Sequence, residues 1–217
     1  FTKLTANNAN CPPDPWFEAM FAYGDFDRSQ VSKEKGSAAN LEHLKHAVNL
    51  YSRIYETHPS GRQALLALGA KAATLVQWAQ ESGEDLQYTN ALQAYNLIAT
   101  NRTAEVALRS MAKVGMAVAL RTQAGQKSGA EQRALLRQAL DQCLDVVHGS
   151  ILGAGEKADP SWTVMAGDEA LHLAEALQDW PVAIHLCHEL AELFPPLRAN
   201  YLEKESSLKA KQPGGKS

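Results

Sequence analysis

Four times along this 217-residue chain one phrase recurs: Ala47, Tyr51, Ile54, Pro59; Ala91, Tyr95, Ile98, Thr103; Ala139, Cys143, Val146, Ile151; Ala183, Cys187, Leu190, Pro195. Each copy has an internal spacing of four, three and five residues, and successive copies begin 44, 48 and 44 residues apart. Spacings of four and three put the first three positions on one face of a helix, and the last step, of five residues, carries the chain off its end. A unit of this size cannot bury its apolar face alone, so repetition predicts an all-α stack in which each copy covers the next. Such stacks present long surfaces for partners and not a closed catalytic pocket.

The boundaries follow from apolar periodicity and breakers. Residues 1 to 15, with Asn7, Asn8, Asn10, Pro12, Pro13 and Pro15, read as an extended arm. Five aromatics then fall in eleven residues: Trp16, Phe17, Phe21, Tyr23 and Phe26. They predict a short helix from Trp16 to Tyr23, ended by Gly24, that either caps the stack or docks on a partner, a second copy of the chain included. A loop is expected over Asp27 to Asn40. Helices are expected over Leu41–His58, Arg62–Glu81, Leu86–Thr100, Ala104–Ala124, Ala130–His148, Trp162–Gln178 and Pro181–Phe194, about four pairs in all. Pro195 and Pro196 precede a charged capping helix over 196–210, whose Glu205 and Lys209 face outward, and 211–217 read as a disordered tail. The organisation is thus 1–40 as arm and aromatic cap, 41–195 as repeats, then cap and tail.

Composition narrows the function. A net charge of -3 with no basic run disfavours nucleic acid and anionic membrane surfaces. No apolar run approaches the ~18 residues of a membrane span, so no direct membrane insertion is expected. Cys11, Cys143 and Cys187 are odd in number and without CxxC spacing, so no disulfide framework or zinc ribbon is indicated. The start at Phe1 suggests a processed product or a piece of a longer chain.

The phrase, read as small residue, aromatic, aliphatic and terminal proline, resembles the second-helix signature of tetratricopeptide repeats. The Leu-Gly pair of that family's first helix has counterparts in Leu68-Gly69, Val114-Gly115 and Ala166-Gly167. A glycine there lets two helices cross closely while a large residue of the second fills the gap. The usual period is 34 residues and this chain uses about 44, which lengthens helices and turns. The resemblance implies a right-handed superhelix of helix pairs whose concave groove binds a peptide or protein partner. With the three glycines as reference, the groove-facing positions are Gln63, Thr74 and Gln77, then Arg109 and Met116, then Ser161, Asp168 and His172. The stretch from Tyr51 to Gly69 also resembles repeats of bacterial cell-envelope members of the family, those that coordinate outer-membrane assembly and division. That likeness favours a periplasmic or envelope-associated location, with the cytoplasm as alternative.

Candidate chemistry is sparse. His185, Cys187 and His188 form the best metal-ligand string, but on a helix the two histidines share a face while Cys187 belongs to the core phrase. His43 and His46, three apart beside Glu42, make a weaker pair. No nucleophile elbow or phosphate loop occurs, and Gly153-Ala-Gly155-Glu-Lys157 reads as a connection between repeats. Asn101-Arg102-Thr103 matches a glycosylation acceptor at a turn. No catalytic residues, metal or cofactor are therefore assigned. The expectation is a non-catalytic scaffold or adaptor, with a regulatory or targeting domain of a larger envelope protein or enzyme as the alternative and a helical metal protein as the third.

Overall fold

All three leading positions of each repeated phrase are buried in the computed structural model, from Ala47, Tyr51 and Ile54 to Ala183, Cys187 and Leu190. The fourth position leaves the core: Pro59, Thr103 and Pro195 are exposed and Ile151 is half-exposed. The structure describes residues 13–57, 59 and 61–212. The expected arm before Pro13, the tail beyond Gln212, Cys11, His58 and Ser60 lie outside the described residues.

Those residues form helices and turns and no strand: α1 (Pro13–Ser29), α2 (Ala38–Thr57), α3 (Arg62–Ser82), α4 (Asp85–Ala99), α5 (Val106–Ala124), α6 (Gly129–Val147), α7 (Pro160–Ala176), α8 (Trp180–Leu193), a 3-10 turn (Pro195–Leu197) and α9 (Arg198–Lys211). The chain divides into two compact units, one ending at Gly115 within α5 and the other beginning at Met116.

In the first unit each helix from α1 to α4 packs on the next in sequence, and α1 also touches α3. Trp16, Phe17 and Met20 join Ala47, Leu50, Tyr51, Ile54 and Ala67 in one cluster with Phe21 and Tyr23 against it, so four of the five aromatics pack within the chain, while Phe26 is 56 % exposed. Here the sequence reading needs correction, because α1 does not stop at Gly24 but continues to Ser29. A Cβ at Gly24 would lie 2.7 Å from Cε1 of Tyr51, so the glycine is a close-approach site and not a terminator. Pro13 and Pro15 are tolerated because the first turn of a helix has no intrahelical partner for its N–H groups.

Beyond α1 the chain wraps around Asn40, which is buried. Its Oδ1 accepts from the Ser32 N–H at 2.9 Å, and its Nδ2 donates to the Glu34 carbonyl at 2.9 Å. Glu81 Oε2 of α3 accepts from the Gly36 N–H at 2.8 Å. The loop is therefore ordered by a satisfied buried amide. Gly83, at φ 74°, closes α3 with its N–H on the Ala79 carbonyl, the stop that the sequence predicts.

In the second unit α6 packs on α7, α7 on α8, and α8 on α9. Helix α7 begins two residues earlier than apolar periodicity predicts, because Asp159 caps it by accepting from the Trp162 N–H at 3.0 Å and Pro160 fits the first turn. Asp179 likewise caps α8. The closing helix is less outward-facing than its charges imply: Tyr201, Glu205 and Leu208 are buried, and Lys209 pairs with Glu205. Lys211 completes α9 instead of opening a tail.

Candidate functional site

Helix α3 shows why a surface assignment from spacing alone is fragile. It packs on α2 and α4 and also touches α1, so little of its circumference faces water. Thr74 is fully buried with its hydroxyl donating to the Ala70 carbonyl at 2.8 Å, and Arg109 on α5 is buried as well. Both side chains assigned to a groove by spacing are thus covered by neighbouring residues. Gln77 is half-buried and accepts from Arg28 Nε at 3.2 Å, tying α3 to α1. Gln63 is exposed and borders a shallow hollow of about 440 Å³ between α1 and α3, with Phe17, Phe21 and Leu66 beside it.

A larger groove, about 550 Å³, opens on another face of α3. Leu68, Lys71, Leu75 and Trp78 recur at helical spacing along its floor, with Val48 and Tyr55 of α2 on one wall and Asn90, Gln93 and Leu97 of α4 on the other. Leu97 is 52 % exposed, although it is a large aliphatic residue. The spacing register missed this groove. Its signal in the sequence is one lysine set within an apolar helical stripe.

In the second unit Ser161, Asp168 and His172 are all exposed on α7, and Met165, 50 % exposed, falls between them at the same helical spacing. These form one strip on a single helix face. Asp168 accepts from the Tyr201 hydroxyl of α9 at 3.0 Å. Met116 is half-buried.

The histidine strings resolve into other roles. Asp27 of α1, itself buried, presents Oδ1 to His43 Nδ1 at 3.2 Å and Oδ2 to His46 Nδ1, and the Tyr23 ring stacks edge-on against His46 with centroids 4.9 Å apart. Two imidazoles of α2 thus hold a carboxylate of α1. At the other string Cys187 is in the core, its thiol pushed up to about 11 chiefly by burial, while His185 and His188 are exposed. His188 approaches Glu192 at 3.3 Å and Glu205 at 4.0 Å. Among the described residues no three histidine, cysteine or acidic side chains are grouped to hold a metal ion, and no helix is long and apolar enough to cross a membrane.

Compared with protein-family profiles, with curated proteins and with solved structures, the chain matches none. What stands is an all-helical chain whose successive helices pack on their neighbours within each unit.

At four glycines an added Cβ would run into a side chain of another helix. Gly167 behaves as the repeat signature predicts, since a Cβ there would lie 2.6 Å from Cδ2 of Leu190, the third phrase residue of the following helix. At Gly115 the gap is filled by Tyr95 of the preceding helix, and at Gly69 by Met111 of α5. Gly24 joins this set through Tyr51, a member that the Leu-Gly spacing did not include.

Proposed function

We propose that this protein is a non-catalytic helical-repeat scaffold of tetratricopeptide-like construction that binds a peptide or protein partner. The α2–α3–α4 groove carries the reading: it is open, floored by apolar side chains and rimmed by amides, the composition of a surface that receives another chain. The Ser161, Met165, Asp168 and His172 strip of α7 supplies a second contact surface. Gly24 with Tyr51, and Gly167 with Leu190, support the repeat reading, because each places a small residue of one helix under a large phrase residue of the next. On this reading α1 is the first helix of the first repeat and not a separate cap. The likeness of residues 51–69 to cell-envelope repeats supports a bacterial envelope setting, where the chain serves alone or as a targeting domain of a longer protein.

The test is site-specific photo-crosslinking in the source cells. A photoreactive residue at Leu97 or Met165 is expected to give discrete protein adducts, and one at the exposed Glu203 of α9 none. Adduct patterns identical at all three positions, or no adducts at Leu97 and Met165, would refute the scaffold reading.

A further inference from the structure

The α2–α3–α4 groove has a one-sided chemistry. Of the described residues that line it, Lys71 is the sole charged one, and no carboxylate is among them. The Lys71 ammonium makes no hydrogen bond or ion pair with another described residue, and the same holds for the Trp78 indole N–H, the Tyr55 hydroxyl and the Gln93 amide. An ammonium and an indole N–H only donate, so the groove holds unmatched donors on an apolar floor. Lys45, whose ammonium lies 5.9 Å from the Trp78 ring, is paired with Glu42 at 3.1 Å.

The register of the helices orders these groups along the groove. Ile98 Cδ1 falls 3.7 Å from the Cβ position of Gly69, so the end of α4 runs beside the first half of α3. Leu97 therefore lies at the Lys71 end, Gln87 and Asn90 at the Trp78 end, and Gln93 between the two. Seven residues of helix separate Lys71 from Trp78, about 10 Å. An extended peptide covers that distance in about three residues.

We propose that this groove takes an extended acidic segment of a partner protein, with an Asp or Glu carboxylate accepting from Lys71 and Gln93 and an apolar side chain three residues away lying on Trp78. This rests on the scaffold reading above and adds the chemistry of its partner. Asn90 Nδ2 donates to Gln87 at 3.2 Å, which leaves Asn90 Oδ1 to accept from the backbone of such a segment. An extended chain is the form that has N–H groups to give.

The experiment is selection from a random library of about twelve-residue displayed peptides on the full chain, followed by titration of the best synthetic peptide against wild type, Lys71→Glu, Lys71→Gln and Leu97→Asp. Circular dichroism checks that each variant is folded. The proposal expects enrichment of Asp or Glu three positions from Leu, Phe or Trp. It expects binding about tenfold weaker in Lys71→Glu and about threefold weaker in Lys71→Gln, and partial rescue of Lys71→Glu by a Lys-for-Glu peptide. Enriched peptides without an acidic preference would overturn the inference while leaving peptide binding intact, and no enrichment at all would overturn both. Enrichment unchanged by Lys71→Glu and Leu97→Asp puts the peptide elsewhere and overturns it. So does a phosphoserine peptide that binds more than tenfold tighter than its Glu counterpart, which makes the ligand a phosphopeptide.

Discussion

The Tyr51 hydroxyl donates to Asp25 Oδ1 at 2.7 Å while the same ring fills the space that a side chain on Gly24 would need. Two adjacent residues of α1 thus receive one residue of α2, and the contact combines close packing with a hydrogen bond. It explains why α1 runs on through a glycine. Helix interiors disfavour glycine by about 1 kcal/mol, and the acids Asp25 and Asp27 near the C-terminal end oppose the helix dipole. The tertiary contacts of Tyr51, His43 and His46 outweigh both.

Gly24→Ala is accordingly expected to destabilise the protein by about 1–3 kcal/mol despite the higher helix propensity of alanine, because the added methyl would lie 2.7 Å from a fully buried ring. Tyr51→Phe keeps the packing and loses the hydrogen bond, costing about 1 kcal/mol. Urea midpoints of the two variants check this, and a Gly24→Ala protein as stable as wild type would show that the ring moves aside.

Asp27 is the electrostatic counterpart of that contact. Asp27→Asn keeps the shape but weakens both imidazole contacts, and a loss of about 1–3 kcal/mol in the stability of the α1–α2 contact is expected. Hydrogen exchange resolved by peptide should show faster exchange in α1 than in the second unit. Uniform loss of protection over both units would contradict the local role.

Four tyrosines are held neutral by their surroundings. Burial is the main cause in each case: it pushes Tyr95 up to about 12 and lifts Tyr51, Tyr88 and Tyr201 above the ordinary phenol range, with Asp25, Asp85 and Asp168 adding to the effect on those three. A raised folded-state pKa favours the neutral phenol, so the stability it contributes is whole below pH 10 and is lost as pH rises through the folded values. Absorbance at about 295 nm during an alkaline titration should show these rings ionising together with unfolding. Ionisation of all six tyrosines with the fold intact would refute it.

Glu175 gives the opposite limb. Burial acts to raise it, but Lys204 and Lys211 outweigh that and hold the carboxyl below its ordinary range. Its stabilisation is therefore present above the unfolded-state value near pH 4 and fades as pH falls through the folded value. The difference in urea midpoint between wild type and Glu175→Gln should be small at pH 7, because Lys204 and Lys211 are themselves substantially solvated, and should vanish by about pH 2. A gap that widens on acidification would reverse the assignment.

Burial pushes the Cys143 thiol up to about 12 and that of Cys187 to about 11. In a Cys11→Ser background at pH 8, both should resist a thiol reagent in the native state and react at the rate at which the second unit opens. Prompt labelling of either would place that thiol outside the core.

How far the sequence could be read differs from element to element. The phrase begun by Ala47, Ala91, Ala139 and Ala183 was enough to mark the core face of four helices, because burial of a stripe at spacings of three and four is a local property of each helix. Gly83 was legible as a stop for the same reason. Gly24 was not, since a glycine ends a helix or passes through it according to whether a ring such as Tyr51 comes to lie on it. Exposure was legible only in part: Gln63, Ser161, Asp168 and His172 reach the surface, whereas Thr74 and Arg109 are buried, and none of the six lines the α2–α3–α4 groove. Spacing sets the side of a helix on which a residue stands, but only the neighbouring helices decide whether that side is covered.

The sequence by itself thus determined the helical class, the repeating unit and the residues that each unit buries. Tertiary structure alone decided that Lys71 stands without a counter-charge on an apolar groove while Asp27 is held by two histidines. Whether a charge is matched depends on distances between helices, which periodicity along one helix does not contain.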